Sequence, residues 1–320
     1  MSDLDSSDLQ IPHWQFTFPN IADEIFSSAG NVNGRVLWES ALGEHISFEK
    51  VICSVNENPV DIPHEFKPLI QQIKVERPQL HDDLILRLSD KDVFFVDGSL
   101  NLNLGITSYL SYQATKSAPL KYSDTDISMQ VAGETCIFTQ YKGNCYLIFS
   151  LRNSQRGIDD FYRYHSCAGV SSFNPSETTI YPHQRAILEA TEESGIPISQ
   201  LKIIGITGVV TDDYFRRSAV LVKCETEQEL DTYFEFYPGR SLLRPKFKTD
   251  EEVNLTALEW SPNSVRAFLL GQDPAYPFPL VRSFWLHVLL EGHISFGCIW
   301  RSRVEEEFKL LFHMMRSCKN

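Results

Sequence analysis

The sequence of 320 residues contains no CxxC pair, and its cysteines are odd in number: seven, at positions 53, 136, 145, 167, 224, 298 and 318. Such spacing suggests neither a disulfide framework nor a zinc site, and reduced thiols fit a cytoplasmic or nuclear compartment. No apolar run reaches the roughly 18 residues that a membrane span needs. The first residues, Met1, Ser2, Asp3, Leu4 and Asp5, lack the basic-then-apolar order of a secretory signal. A soluble, cytoplasmic chain with no membrane partner is the expectation. Basic residues are scarce: 29 Lys and Arg face 42 Asp and Glu, for a net charge of −13. Broad nucleic-acid binding depends on a basic footprint and is not expected. Repeats and low-complexity tracts are also absent.

What is present suits a folded chain, with 42% hydrophobic and 12% aromatic residues. The length exceeds a typical domain of about 100–200 residues, so two lobes or one core with large additions is expected. Residues 1–30 read as a poorly ordered leader with Trp14, Phe16 and Phe18 as docking anchors. Residues 31–133 read as an N-terminal α+β lobe that shapes a pocket, with strands at Val51–Val55, Leu84–Leu88 and Val93–Val96 and a helix over His64–Val75. Ser108–Ala114 fits either helix or strand. Residues 134–270 open with a hairpin, Thr135–Gln140 and Cys145–Leu151, and continue through strands at Leu201–Val210, Ser218–Glu225 and Leu255–Trp260. Ser261 and Pro262 then cap a helix that ends before Gly271. Residues 271–320 form a C-terminal helical extension, where Val304, Phe308, Leu311, Phe312 and Met315 recur at helical spacing. That stripe can close the core, cover the N-terminal lobe or pair with a second copy as a homodimer.

Chemistry is concentrated in the segment Leu188, Glu189, Ala190, Thr191, Glu192, Glu193, Ser194, Gly195, Ile196. Its carboxylates fall at i, i+3 and i+4, on one helical face. Like charges at that spacing destabilise a helix by roughly 0.2–0.5 kcal/mol, and in isolation the pattern reads as a solvated surface. Its surroundings argue for more. Pro182 suits a first helical turn, Thr178 or Thr179 can cap it, Ala186, Ile187 and Ala190 give an apolar side, and Gly195 sits where a left-handed terminator belongs. A helix over 182–194 follows. A divalent cation would answer the acidic face, since Mg²⁺ takes one or two carboxylates with waters and substrate phosphates.

Glycine loop, acidic residue, helix ending Glu-x-x-Glu-Glu-x-Gly-aliphatic, then strand: this order resembles the Nudix box, G-x5-E-x7-R-E-U-x-E-E-x-G-U with U aliphatic. Glu189, Glu192, Glu193, Gly195 and Ile196 match, with Ala190 as a small residue at the first U. The first half departs from the pattern. Leu188 stands where the family has Arg. Seven residues instead of five separate Gly169 from Glu177, and ten instead of seven separate Glu177 from Leu188. Arg185, four positions before Glu189, can supply the missing guanidinium or can form an ordinary surface pair worth at most about 1 kcal/mol.

The resemblance covers about 134–270 and implies an α/β fold, a Nudix-like α/β/α sandwich with a mixed sheet, here carrying an N-terminal α+β extension and C-terminal helices. It implies a metal-dependent hydrolase that cleaves a nucleoside-diphosphate-linked pyrophosphate substrate, or a catalytically silent Nudix-like domain that binds a nucleotide or a protein partner. Mg²⁺ or Mn²⁺ would sit on Gly169, Glu189, Glu192 and Glu193, with Glu189, Glu192 and Arg185 carrying the chemistry. Glu177, Glu235, Glu251 and Glu252 are further carboxylates that could join the site. Phe173, Tyr181, Tyr214, Phe215, Arg216 and Arg217 could line a nucleotide pocket, with Arg216 and Arg217 expected to be solvent-exposed.

Overall fold

Runs of β-branched and apolar residues become strands, and those strands join in one mixed sheet. The structure is a computed structural model that describes residues 15–18, 32–40, 44–116, 128–153, 162–212, 216–236, 242–246, 254–278 and 280–317. In chain order the strands are β1 (Gln15–Phe18), β2 (Val32–Glu39), β3 (Val51–Pro59), β4 (Leu84–Arg87), β5 (Val93–Val96), β6 (Ser99–Ser108), β7 (Gln130–Tyr141), β8 (Asn144–Asn153), β9 (Tyr162–His165), β10 (Cys167–Val170), β11 (Leu201–Asp212), β12 (Arg217–Thr226), β13 (Phe234–Phe236), β14 (Leu242–Pro245) and β15 (Asn254–Glu259). The α-helices are α1 (Lys67–Glu76), α2 (Tyr109–Thr115), α3 (Pro182–Ser194), α4 (Leu230–Tyr233), α5 (Pro262–Leu269), α6 (Arg282–Phe296) and α7 (Cys298–Ser317).

The main strand order is β1-β2-β11-β12-β7-β8-β15-β14-β13. β12 runs parallel to β7, while β7 and β8, like β11 and β12, are antiparallel. The N-terminal lobe continues this sheet. Its β6 is flanked by β3 on one side and by β4 and β5 on the other, and β4 reaches β7 through the pair Arg87 and Gln130. β2 lies within the main order, between β11 and β1.

Helices cover both faces. On one face Ala186, Ile187 and Ala190 of α3 share a core with Ile137, Val220 and Val222 of the sheet and with Leu86, Leu100 and Leu104 of the N-terminal lobe. On the other, Phe268 of α5 and Phe284, Trp285 and Leu289 of α6 pack with Phe149 and Leu221. This is an α/β/α sandwich with a mixed sheet, an N-terminal α+β extension and C-terminal helices. Helix α6 had no amphipathic signature in the sequence because every residue from Arg282 to Gly292 is buried; a helix buried on all sides carries no single apolar stripe. Helix α7 closes over it, with Phe308 against Trp285 at 4.8 Å between ring centroids. The side chains of Phe312 and Met315 lie outside the described residues. Of Ser108–Ala114, the part from Tyr109 onward is helical and Ser108 ends β6; its hydroxyl caps α2 by accepting the Ser111 amide. Among the described residues Cys53, Cys136, Cys145, Cys167, Cys224 and Cys298 are free thiols, and no helix is long and apolar enough to cross a membrane.

One contact sets the distance between α3 and the sheet. Gly133 of β7 and Gly169 of β10 are register partners. A methyl group on Gly133 would fall on the Pro182 carbonyl and the Ala186 amide, and one on Gly169 would fall on the Glu189 carboxylate. The bare backbone therefore lets α3 lie directly on the strands, where the Thr135 hydroxyl donates to the Ala186 carbonyl at 2.6 Å. Overpacking such a contact costs about 1–3 kcal/mol. Gly133→Ala should lower the midpoint of thermal unfolding by several degrees, measured by circular dichroism; an unchanged midpoint would show that α3 is not seated as described.

Candidate functional site

The start and end of α3 follow from local chemistry. Pro182 occupies the first turn and holds the preceding residue extended, so the cap is Tyr181 (φ −73°, ψ 157°) and not Thr178 or Thr179. The Tyr181 amide donates to Gln184 Oε1 at 3.0 Å, one half of a capping box. Gly195 ends the helix in the left-handed conformation, φ 71°. Beside the cap, His183 packs edge-on against Phe48 at 4.8 Å, and burial holds its imidazole down to about 4, so it packs as a neutral ring at pH 7.

The three helical carboxylates have different surroundings. Glu189 and Glu193 are buried, at 4% and 0% exposure, whereas the Glu192 side chain is one-third exposed. Arg185 pairs through the same Nη2 with Glu189 and, at 3.1 Å, with Glu192. Glu193 is held from outside the helix. Its Oε1 accepts the Ala168 amide at 3.1 Å and pairs closely with Nη2 of Arg152 on β8, which also reaches the Ala168 carbonyl at 3.5 Å. Glu193 Oε2 is buried and has no hydrogen-bond partner. An unsatisfied buried acceptor costs about 1–3 kcal/mol, more when charged.

Of the other expected residues, Gly169 lies against Glu189. Glu177 is exposed in the turn that follows β10, with its amide bonded to the Asn174 carbonyl. Glu235 is exposed on β13, the last strand of the main order, beside Phe236, which packs on Tyr141 at the far end of β7 from Gly133. Neither joins the α3 carboxylates. Glu251 and Glu252, like Tyr214 and Phe215, lie outside the described residues.

Arg152 had no signal in the sequence: it lies far from the helix along the chain and belongs to no motif. A second polar cluster was also missed, on the opposite face of the sheet. Glu134, 1% exposed, accepts Ser166 Oγ at 2.9 Å and Ser283 Oγ at 2.7 Å, and pairs with Arg217 Nη2 at 3.3 Å. Arg282, the first residue of α6, faces Asp212 at 3.8 Å. Arg216 is 3% exposed and the Arg217 side chain 13%, so both are withdrawn from the solvent in which they were expected. Arg217 turns inward because Ser283 of α6 and Glu134 give it buried polar partners.

Among the described residues no group of three or more His, Cys, Asp or Glu is gathered to hold a metal ion. A Mg²⁺ site needs only one or two carboxylates, with waters and phosphate oxygens supplying the rest. The open, buried Oε2 of Glu193, with Glu189 and the Gly169 backbone nearby, fits that demand in donor chemistry. The guanidinium groups of Arg152 and Arg185 share these carboxylates.

The fold is a mixed α/β/α sandwich with an acidic helix laid on its central strands. No protein-family model matches the sequence, and no curated protein matches it. Solved structures with a similar arrangement include a Nudix hydrolase from M. smegmatis, RenU, at 13% identity over 52% of this chain and 86% of that one, with a TM-score of 0.32. A C. elegans Ap4A hydrolase binary complex aligns at 14% identity over 52% and 97%, TM-score 0.32. The NUDIX domain of Shewanella oneidensis NrtR, complexed with ADP ribose, aligns at 10% identity over 51% and 86%, TM-score 0.30. The likeness is one of distant fold and spans about half of this chain.

The two polar clusters differ in what they contribute to stability. Breaking a buried ion pair costs about 3–5 kcal/mol, whereas a half-exposed helical pair contributes at most about 1 kcal/mol. Glu134→Gln should therefore destabilise the chain by about 3 kcal/mol in urea denaturation and Glu192→Gln by less than about 1; equal losses would contradict the burial assigned to Glu134.

Proposed function

We propose that this chain is a metal-dependent hydrolase of the Nudix type acting on a nucleotide-class substrate whose nucleoside diphosphate is linked to a second group. The observation that carries this reading is the buried, unpartnered Oε2 of Glu193 beside Glu189 and Gly169. A buried anionic oxygen without a donor is costly, and a divalent cation is the partner its chemistry suits. Glu193 and Glu189 would hold Mg²⁺ or Mn²⁺, with the Gly169 carbonyl and Glu192 as further donors. When bound, the ion would neutralise phosphate oxygens and lower the pKa of a coordinated water.

The chain's own residues do the positioning. Arg185 restrains Glu189 from one helical turn away and Glu192 from two, the place in the chemistry that Leu188 leaves open. Glu192 is the carboxylate of the three that reaches solvent, so it is the one able to pass a proton to bulk water. Close seating of α3 on Gly133 and Gly169 keeps Glu189 and Glu193 away from water, which strengthens every charge interaction made there.

A second reading has its own support. Two guanidinium groups already stand against three carboxylates, an arrangement suited to a silent Nudix-like domain that binds a nucleotide or a protein partner without cleaving it. Turnover separates the two readings. With Mn²⁺ present, the wild type should release product from a panel of nucleotide sugars, dinucleotides, CoA and nucleoside triphosphates, and Glu189→Gln and Arg185→Ala should reduce that rate to similar extents, by 10²-fold or more. No product from any panel member would favour the silent domain, and a fully active Arg185→Ala would remove Arg185 from the mechanism.

A further inference from the structure

We propose that Arg152 is the positioning residue of the acidic site: it ties down Oε1 of Glu193 so that Oε2 alone is presented to a cation. The inference rests on the metal-binding reading of Glu193 given under Proposed function.

Arg185 cannot serve Glu193. Its carboxylate partners are Glu189 and Glu192, and Leu188 carries no charge. The group that fixes Glu193 must therefore come from another element, and β8 supplies it. Two donors, the Ala168 amide and Arg152 Nη2, converge on the same oxygen, Oε1. The same Nη2 lies 3.5 Å from the Ala168 carbonyl, so the guanidinium is anchored to the backbone of β10 as well as to the carboxylate.

The asymmetry of this pairing is informative. Arginine and carboxylate commonly meet fork to fork, with two parallel hydrogen bonds that satisfy both oxygens. Here Glu193 Oε2 and Arg152 Nε are both buried and both lack a hydrogen-bond partner. Had Arg152 replaced a cation outright, engaging both oxygens would satisfy Oε2 and Nε together. Instead the side chain is held by its contact with β10, rotation of the Glu193 carboxylate is blocked at Oε1, and one buried anionic oxygen stays open. Arg152 thus prepares a ligand atom; it does not substitute for what binds there. The resulting order of affinities is specific: loss of Arg152 weakens cation binding even though a positive charge has been removed from the vicinity.

Mn²⁺ alone, with no nucleotide, is the probe. Its dissociation constant is measured by calorimetry and by the electron paramagnetic resonance signal of free Mn²⁺ for wild type, Arg152→Gln, Arg152→Lys and Glu193→Gln, with the thermal midpoint of each. Arg152→Gln is expected to weaken Mn²⁺ at least tenfold and Glu193→Gln to abolish binding at the site, while Arg152→Lys recovers part of the affinity. A purely structural role would lower the thermal midpoint and leave the affinity of the folded protein unchanged. Mn²⁺ binding in Arg152→Gln as tight as or tighter than in wild type would overturn the proposal. Should that variant not fold, Arg152→Lys with wild-type affinity would overturn it. Wild type that binds no Mn²⁺ overturns the metal reading itself, and this inference with it.

Discussion

Gly133 and Gly169 face each other across β7 and β10, and the helix that carries Glu189, Glu192 and Glu193 rests on them without an intervening side chain. That closeness takes Glu189 and Glu193 out of water. Buried carboxylates must then be paired or bound. Arg152 and Arg185 meet part of that requirement, and Glu193 Oε2 is left without a hydrogen-bond partner. A helix seated a few ångströms further out would carry the same sequence as a solvated acidic face with no such requirement.

The sheet separates two electrostatic environments. On the α3 face the acidic helix is answered by guanidinium groups from β8 and from its own first turns. On the α6 face Glu134 is satisfied by two serines and Arg217, and Asp212 faces Arg282. Further along α6, Glu291 is held by His45 and Thr207, with Lys223 at 3.7 Å, while burial holds nearby His287 down to about 4. In a chain of net charge −13, these buried basic groups mark where the fold has drawn its cations inward. Glu134 and Gly133 are neighbours in sequence yet serve opposite faces, because successive strand residues alternate.

Local patterns in the sequence carried much of this. The limits of α3, its proline start and its glycine terminator were readable because each depends on a few adjacent residues, as were most strands and the antiparallel pair β7–β8. Arg185 was readable because it shares a helical face with Glu189. Features that depend on contacts distant along the chain were not. Arg152 meets Glu193 only when β8 and β10 are brought under α3. Glu134 finds Arg217 through a parallel pairing of β7 with β12, and Ser283 through a helix whose all-round burial erased its period. Arg217 reads as a solvent-facing residue at a strand start, and only its distant partners Glu134 and Ser283 explain why it turns inward. The N-terminal strands join the main sheet where β2 pairs with β11, where Arg87 meets Gln130 and where Ile85 bridges Ser172, pairings that no local spacing encodes.

The central claim is that Glu193 Oε2 is the open ligand atom of a cation site built by α3 and β10. Paramagnetic broadening of backbone amide resonances during a substoichiometric Mn²⁺ titration tests it most directly. Signals of Ala168, Gly169 and Glu193 should broaden first, and those of exposed acidic segments elsewhere only at higher metal. Broadening that begins at exposed carboxylates such as Glu177 or Glu235 and leaves Ala168 and Gly169 sharp would contradict the account.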